Sequence, residues 1–178
     1  MKAVLRVITL LGVAGMLNAC VMQQTSGDNL KYAKKAIDVS IACSHDCNYY
    51  AGQPHTVYLT FYELSQPNMY NRMLGSQEGI AQLVAGGEFD KTVLTHQSVV
   101  IQPGEFRQVL LDRVEGARYL SIIAGYRSGN PRTISRVYPV NLQKTITFFW
   151  RDLDKTAKMR VNMRLGREGM LRLTNTRR

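Results

Sequence analysis

The sequence has few of the residues that hold metal ions or form dense disulfide networks, with three cysteines and three histidines among 178 residues. A multi-zinc protein or a disulfide-rich scaffold is therefore excluded. Acidic residues are also scarce, with 13 Asp and Glu against 23 Lys and Arg. This balance excludes an acidic solubilising tail and is compatible with binding to an anionic partner. The length of 178 residues predicts one domain, and the 45% hydrophobic content is typical of a globular one.

Catalytic motifs are missing as well. The sequence contains no G-x-S-x-G element, no glycine-rich phosphate loop and no H-E-x-x-H pair. Ser44, His45 and Asp46 are the residue types of a catalytic triad, but they are consecutive. Neighbouring side chains of an extended segment point to opposite faces, so these three cannot relay a proton in line. We expect a protein that is not an enzyme and that has no cofactor and no metal site.

No apolar run reaches the ~20 residues that a membrane-spanning helix needs. Lys2 and Arg6 precede an apolar stretch over 7–17, and the sequence LNAC then ends at Cys20. This order is typical of a signal peptide over 1–19, and its end resembles a bacterial lipobox with Cys20 as the lipidated residue. An ordinary secretory signal could also end one residue before Cys20. Val21, where inner-membrane retention would use Asp, resembles an outer-membrane signal.

The mature chain divides into a tether and a domain. Residues 20–35 are mostly polar without periodicity, which predicts a flexible tether that begins at the lipidated cysteine. Within 36–178, short segments with alternating or β-branched residues predict a β-sandwich. The predicted strands are 37–41, 56–64, 91–102, 106–112, 119–127, 133–140, 145–151, 158–165 and 170–174. After the second strand, Asn68 and Ser76 could cap two short helices.

Cys43 and Cys47, with His45 between them, form the most unusual local feature. In an oxidising compartment, the two cysteines that remain after lipidation can form a disulfide if the chain turns. The alternatives are free thiols, or a metal site of these three residues completed by His55 or His96. We favour the disulfide, whose short ring would fix the conformation of the loop and contribute little to holding the rest of the domain together.

The segment 43–55 also carries Tyr49 and Tyr50. Exposed tyrosines are typical interface anchors, since they give a large contact area at low entropic cost. Alternatively, both side chains fold back onto the rim of the sandwich.

Basic side chains concentrate at 151–178, with nine Lys and Arg against three acidic residues. Arg160 and Arg164 would share one strand face. That face is either solvated or binds an acidic protein or anionic lipid. Nucleic acid is not an expected partner outside the cytoplasm.

Three segments resemble the outer-membrane lipoprotein family of the bacterial type VI secretion system, called TssJ (also SciN or VasD). Residues 57–64 (VYLTFYEL) resemble its second strand, of the type VRVYEL, and 103–105 resemble its L-x-PGE turn. Residues 119–127 (YLSIIAGYR) resemble its YLGVVAGYR strand, which is the most specific of the three. The resemblance covers nearly the whole mature domain and depends on order and spacing.

The resemblance implies an all-β, transthyretin-like β-sandwich of two sheets with a short helical insertion after the second strand. It implies an outer-membrane lipoprotein that is held by acyl chains in outer-membrane lipid and faces the periplasm. It also implies that the protein binds the periplasmic C-terminal region of TssM, with TssL in the same trans-envelope complex.

In this family the loop between the first two strands contacts TssM, and here that loop is 43–55. The family loop often reads NPDxxGRPSP, of which this chain keeps Gly52 and Pro54. Asn48, Tyr49 and Tyr50 are candidate contacts by position alone. The alternative function is a periplasmic ligand-binding or transport lipoprotein, whose sandwich offers a pocket to a hydrophobic or anionic small molecule.

Overall fold

Eight strands and three short helices form within residues 30–127, 130–140 and 158–171, which a computed structural model describes. The strands are β1 (Ala33–Cys43), β2 (Val57–Leu64), β3 (Val93–Ile101), β4 (Phe106–Arg113), β5 (Tyr119–Ala124), β6 (Ser135–Pro139), β7 (Met159–Leu165) and β8 (Met170–Leu171). The helices are α1 (Asn68–Met73), α2 (Gln77–Ala85) and α3 (Pro131–Ile134). The all-β prediction with a helical insertion after the second strand is confirmed.

The strands form two sheets, ordered β4-β1-β7-β8 and β3-β2-β5-β6. β1 pairs antiparallel with β4 and parallel with β7, so it lies inside its sheet. Its alternating residues Ile37, Val39 and Ile41 are fully buried, as a strand with one face toward a core requires. In the other sheet β5 lies between β2 and β6, which confirms the prediction that the apolar run from Tyr119 forms a central strand.

The helical insertion covers the outer face of the second sheet. The Tyr62 hydroxyl of β2 donates to the Leu83 carbonyl of α2 at 2.8 Å, and burial raises the pKa of this phenol to about 12. Ser76 caps α2 by accepting from the Gly79 amide, as predicted. Gly79 lowers helix propensity, but a side chain there would collide with the Met73 carbonyl of α1. The glycine therefore permits the close packing of α1 against α2.

Several predicted boundaries are wrong. Asn68 does not cap α1; Pro67 occupies the cap position without a side-chain bond. Residues 133–134 are not extended, because the Asn130 side chain accepts from the Arg132 amide and Pro131 starts a helical turn. The predicted strand 145–151 lies outside the described residues.

The predicted tether of 20–35 overlaps the folded domain at its C-terminal end. Leu30 is 6% exposed, and its carbonyl accepts from the Gly116 amide at 2.8 Å. Arg113 donates to the Lys31 carbonyl, and β1 already begins at Ala33. The folded domain therefore includes residue 30, while Cys20 and the predicted signal peptide lie outside the described residues. Within the part of the chain that is described, no helix is long and apolar enough to cross a membrane.

Candidate functional site

The loop from Cys43 to His55 leaves the end of β1 and leads into β2. Cys43 and Cys47 are joined by a disulfide, with their Cα atoms 5.9 Å apart, and both are buried. The predicted disulfide is thus present in the structure, and it withdraws both sulfur atoms from the alternative metal site. No group of three His, Cys, Asp or Glu within the described ranges could hold a metal ion.

The backbone of this loop is hydrogen-bonded to the turn between β7 and β8. The amides of Ser44, Asn48 and Tyr49 donate to the carbonyls of the three consecutive residues 165, 166 and 167 at 2.9–3.3 Å. Below them, the buried Tyr126 hydroxyl donates to the Gly166 carbonyl at 3.0 Å, and burial raises the pKa of this phenol. The loop is therefore held as an extension of the first sheet.

Asn48 supports the loop from inside and does not form part of its outer surface. It is 6% exposed, its Nδ2 donates to the Thr56 carbonyl at 2.8 Å, and its Oδ1 accepts from the Arg127 amide at 3.2 Å. Its φ of 50° lies in the left-handed region that asparagine tolerates better than most residues. Asn48 thus stabilises the shape of the loop, and its role as a partner contact stays a prediction.

The tip of the loop is a tight turn over residues 50–53. Tyr50 and Gln53 exchange two backbone hydrogen bonds of 3.1 Å. The two central residues, Ala51 and Gly52, have φ values of 50° and 81°, as a two-residue turn of type I′ requires. Nothing lies within 4 Å of a Cβ placed on Gly52. The positive φ, and not lack of space, therefore explains glycine at this position.

Two tyrosines, two arginines and the exposed Pro54 form the surface of the tip. The Tyr50 ring stacks on His55 with ring centroids 3.6 Å apart, and the Arg127 guanidinium lies 5.9 Å from its centroid. The Arg167 guanidinium lies 3.8 Å from the Tyr49 ring centroid. Both arginines are exposed. We call Tyr49, Tyr50, Pro54, Arg127 and Arg167 the tip surface.

The tip surface combines the two features that a protein contact needs, a fixed shape and side chains with large contact area. Tyr49 is held by its hydroxyl, which donates to the Gly52 carbonyl at 2.8 Å, and Pro54 is exposed next to the turn. Aromatic and arginine side chains are enriched at protein interfaces. The alternative that both tyrosines fold into the rim is wrong for Tyr50, which is 37% exposed.

Residues 44–46 form no catalytic relay. Ser44 Oγ donates directly to the Asp46 carboxylate at 2.6 Å, so His45 is not between them. The His45 ring instead lies against Gly104, where a Cβ would approach it to 2.7 Å. The arrangement locks the loop against the turn between β3 and β4.

A cavity of about 380 Å³ opens on the other side of the sandwich, between β3 and β4. Two of its lining residues, Glu63 and Asp112, are carboxylates, and none is Lys or Arg. Burial raises the pKa of Glu63 to about 7, while the Val114 amide and Arg113 oppose this shift. A carboxylate lining repels anions, so this cavity does not suit the anionic ligand of the alternative function.

Arg160 and Arg164 share one face of β7, as predicted, and this face is exposed because the apolar residues that alternate with them, Val161, Met163 and Leu165, are buried. This face belongs to the first sheet and is separate from the tip surface. The remaining residues of the basic segment, 151–157 and 172–178, lie outside the described residues.

A sequence profile of the family described as type VI secretion lipoprotein, VasD, EvfM, TssJ (T6SS-SciN) matches residues 35–168. No curated protein matches the chain in sequence.

The fold of the chain is similar to that of several solved structures. Lip of Serratia marcescens, a membrane-bound component of the type VI secretion system, is 16% identical, with a TM-score of 0.58 over 79% of this chain and 98% of that one. The type VI secretion lipoprotein TssJ1 of Pseudomonas aeruginosa is 19% identical, with a TM-score of 0.54 over 79% and 93%. A chain of a structure described as the TssM C-terminal domain from EAEC is 15% identical, with a TM-score of 0.56 over 78% and 97%. At these identities the similarity shows the fold alone.

Proposed function

Because the chain belongs to the family of type VI secretion lipoproteins, we propose that it links the outer membrane to the periplasmic C-terminal region of TssM. Acyl chains on Cys20 hold it in the outer membrane, and the tip surface binds TssM. TssL belongs to the same trans-envelope assembly. The observation that carries this proposal is that the tip surface lies at the opposite end of β1 from Leu30, where the chain that follows Cys20 enters the domain.

The tether and the tip surface lie at opposite ends of β1. The chain enters the domain at Leu30, beside the turn between β4 and β5, and the tip follows Cys43 at the other end. Seven residues of β1, Ile37–Cys43, pair in continuous register with β7 and span about 20 Å at ~3.3 Å per residue, so the entry point and the tip are separated by a span of this length. A lipid anchor at Cys20 therefore attaches at the end of the domain opposite the tip, which leaves the tip accessible to a partner that comes from the opposite side of the periplasm.

The charge of the tip surface indicates the chemistry of its partner. Arg127 and Arg167 flank the two tyrosines, and neither forms a salt bridge with a carboxylate among the described residues. Arginine binds carboxylates through paired hydrogen bonds. We infer that the TssM surface offers acidic side chains beside an apolar patch that receives Tyr50.

Binding of the full-length chain to the purified C-terminal region of TssM tests this proposal, by calorimetry with melting temperatures recorded in parallel. Tyr49→Ala with Tyr50→Ala is expected to weaken binding about thirtyfold, since a buried aromatic anchor contributes ~2 kcal/mol, with nearly unchanged melting temperature. Tyr32→Ala, an exposed tyrosine at the other end of β1, is the matched control and should bind normally. Arg127→Glu with Arg167→Glu should weaken binding and reduce its salt dependence.

Two results would contradict the assignment. Unfolding of the double tyrosine variant would make these residues part of the core. Normal binding by that variant, combined with loss of binding in Arg160→Glu with Arg164→Glu, would move the contact to the solvent face of β7.

A further inference from the structure

We propose that the free edge of β3 is a second docking site, which takes an extended segment of a partner protein as an added strand, with a Lys or Arg of that segment entering the cavity at Glu63. This site is separate from the tip surface and does not depend on the function proposed above. Three observations carry it: the composition of β3, the protection of the other sheet edges, and the charge of the adjacent cavity.

β3 is a long edge strand without the devices that prevent pairing. Among the described residues it pairs with β2 alone, so no described strand lies beside the other row of its backbone amides and carbonyls. Its nine residues, VLTHQSVVI, contain no Lys, Arg, Asp, Glu or Pro. Leu94 and Val100 are 37% and 36% exposed. Natural edge strands are usually short, charged, bulged or interrupted by Pro, because an unprotected edge accepts strands from other chains.

The other described edges carry such protection. β8 has two residues, and β6 has five, including Arg136 and Pro139. β4 carries Arg107, Asp112 and Arg113, and Arg107 is paired with Glu105 in a salt bridge. Since the other described edge strands of this molecule are protected against pairing, the absence of such protection on β3 supports a role in binding a partner strand.

The cavity beside this edge selects the charge of the partner. Thr95, His96 and Gln97 of β3 form one wall, and Glu63 and Asp112 contribute carboxylates. Glu63 is 4% exposed, and its Oε2 accepts from the Val114 amide. Arg113 lowers the pKa of Glu63, and Lys34 and Lys35 lower that of Asp112, but none of these three cations lines the cavity, whose charged lining residues are the two carboxylates. A strand laid along β3 would project alternate side chains toward this cavity, where a cation is favoured.

The same charge argument disfavours a second copy of the chain as the occupant. Two β3 strands paired with each other would bring no cation to the cavity, since β3 contains neither Lys nor Arg. They would also bring two acidic cavities toward each other. A basic segment of another protein that adds as a strand would form hydrogen bonds with the backbone amides and carbonyls of β3 and would bring a cation to the carboxylates of the cavity.

Hydrogen exchange and fluorescence anisotropy on the full chain in mild detergent test the proposal. The probes are synthetic peptides of about ten residues that alternate Thr and Val around a central Lys, Gln or Glu. A control peptide carries two Pro residues, which prevent strand pairing. At pH 8 Glu63 is ionised, because burial raises its pKa to about 7. The Lys peptide is expected to bind at least tenfold more tightly than the Glu peptide and to slow amide exchange in β3.

Variants of the chain separate the edge from the cavity. Gln97→Lys places a cation on the edge strand at the cavity wall and should weaken Lys-peptide binding at least tenfold. Gln108→Lys is the matched control on the exposed face of β4, and should change binding by less than twofold. Glu63→Gln should remove the preference for Lys over Gln while the backbone-dependent slowing of β3 exchange remains.

Three outcomes would overturn the proposal. One is slow exchange of all β3 amides in the free monomer, because the edge would then be covered by another part of this chain. Another is protection of β3 that rises with protein concentration and without peptide, which would identify a second copy as the occupant. The third is equal binding of the Lys, Glu and Pro peptides.

Discussion

The buried carboxyl of Glu63 gives a prediction for stability against pH. Glu63 is 4% exposed, and loss of hydration raises its pKa from 4.5 to about 7 in the folded chain. Between these two values the folded state holds the proton more tightly than the unfolded state. The contribution of this group to stability is therefore greatest below pH 4.5, falls as the pH rises, and reaches its minimum above pH 7.

The size of the effect follows from the two pKa values. Each pH unit of difference corresponds to 1.36 kcal/mol, so ionised Glu63 costs the fold at most about 3 kcal/mol, and less where water in the cavity screens the charge. Glu63→Gln keeps an oxygen that can accept from the Val114 amide and removes the charge. The variant should be more stable than the native chain by ~1–3 kcal/mol at pH 8, with the difference shrinking toward zero near pH 5.

Urea unfolding of both proteins at pH 5, 6, 7 and 8 measures this difference. Glu88→Gln, at an exposed position, is the control and should stay within ~0.5 kcal/mol of the native chain at every pH. If the native chain and Glu63→Gln give parallel stability profiles across this range, the Glu63 carboxyl is hydrated and the reasoning from burial fails.

Three further predictions concern the anchor, the loop and the helical insertion. Cys20→Ser should release a folded chain from the outer-membrane fraction into the periplasm; continued sedimentation with outer membrane at high salt would refute the lipid anchor. Cys43→Ser with Cys47→Ser should lower the free energy of unfolding by about 2 kcal/mol, as expected for so small a ring. In calorimetry the same variant should bind TssM more weakly than the control variant Tyr32→Ala does. Gly79→Ala should lower the melting temperature, although alanine usually stabilises helices, because its Cβ would collide with the Met73 carbonyl; a rise would show that α1 can move.

The strands and the disulfide could be predicted because their signals are local. β1 alternates apolar and polar residues, and Ser76 caps α2 by a bond to a residue three positions away. The start of the domain at Leu30 had no such signal, because its burial depends on the turn that contains Gly116, far along the chain. The helical turn at Pro131 could have been recognised from its asparagine cap and proline.

The loop was found by resemblance, whereas two members of the tip surface were not assigned to it. Arg127 and Arg167 reach the tyrosines because β5 and the turn after β7 end beside the loop. The position of Arg167 depends on the parallel pairing of β1 with β7, and that of Arg127 depends on the pairing of β2 with β5. Both pairings join strands more than 50 residues apart and leave no short-range pattern. The role of Asn48 also depends on distant residues, since its amide bridges Thr56 and Arg127.

The course of β1 has a mechanical consequence for a chain that is pulled between a membrane and a partner. A force applied at Leu30 and at Tyr50 would act along the covalent backbone of β1, which is extended and paired on both sides over Ile37–Cys43. Stretching these seven residues from ~3.3 to ~3.6 Å each lengthens the strand by about 2 Å, and the disulfide takes residues 44–46 out of the path. The pairing with β4 is irregular between residues 33 and 37, where Lys35 has a φ of 50°, so tension can straighten the chain there. A load carried through β1 would therefore lengthen the domain first at the end nearest to the lipid anchor.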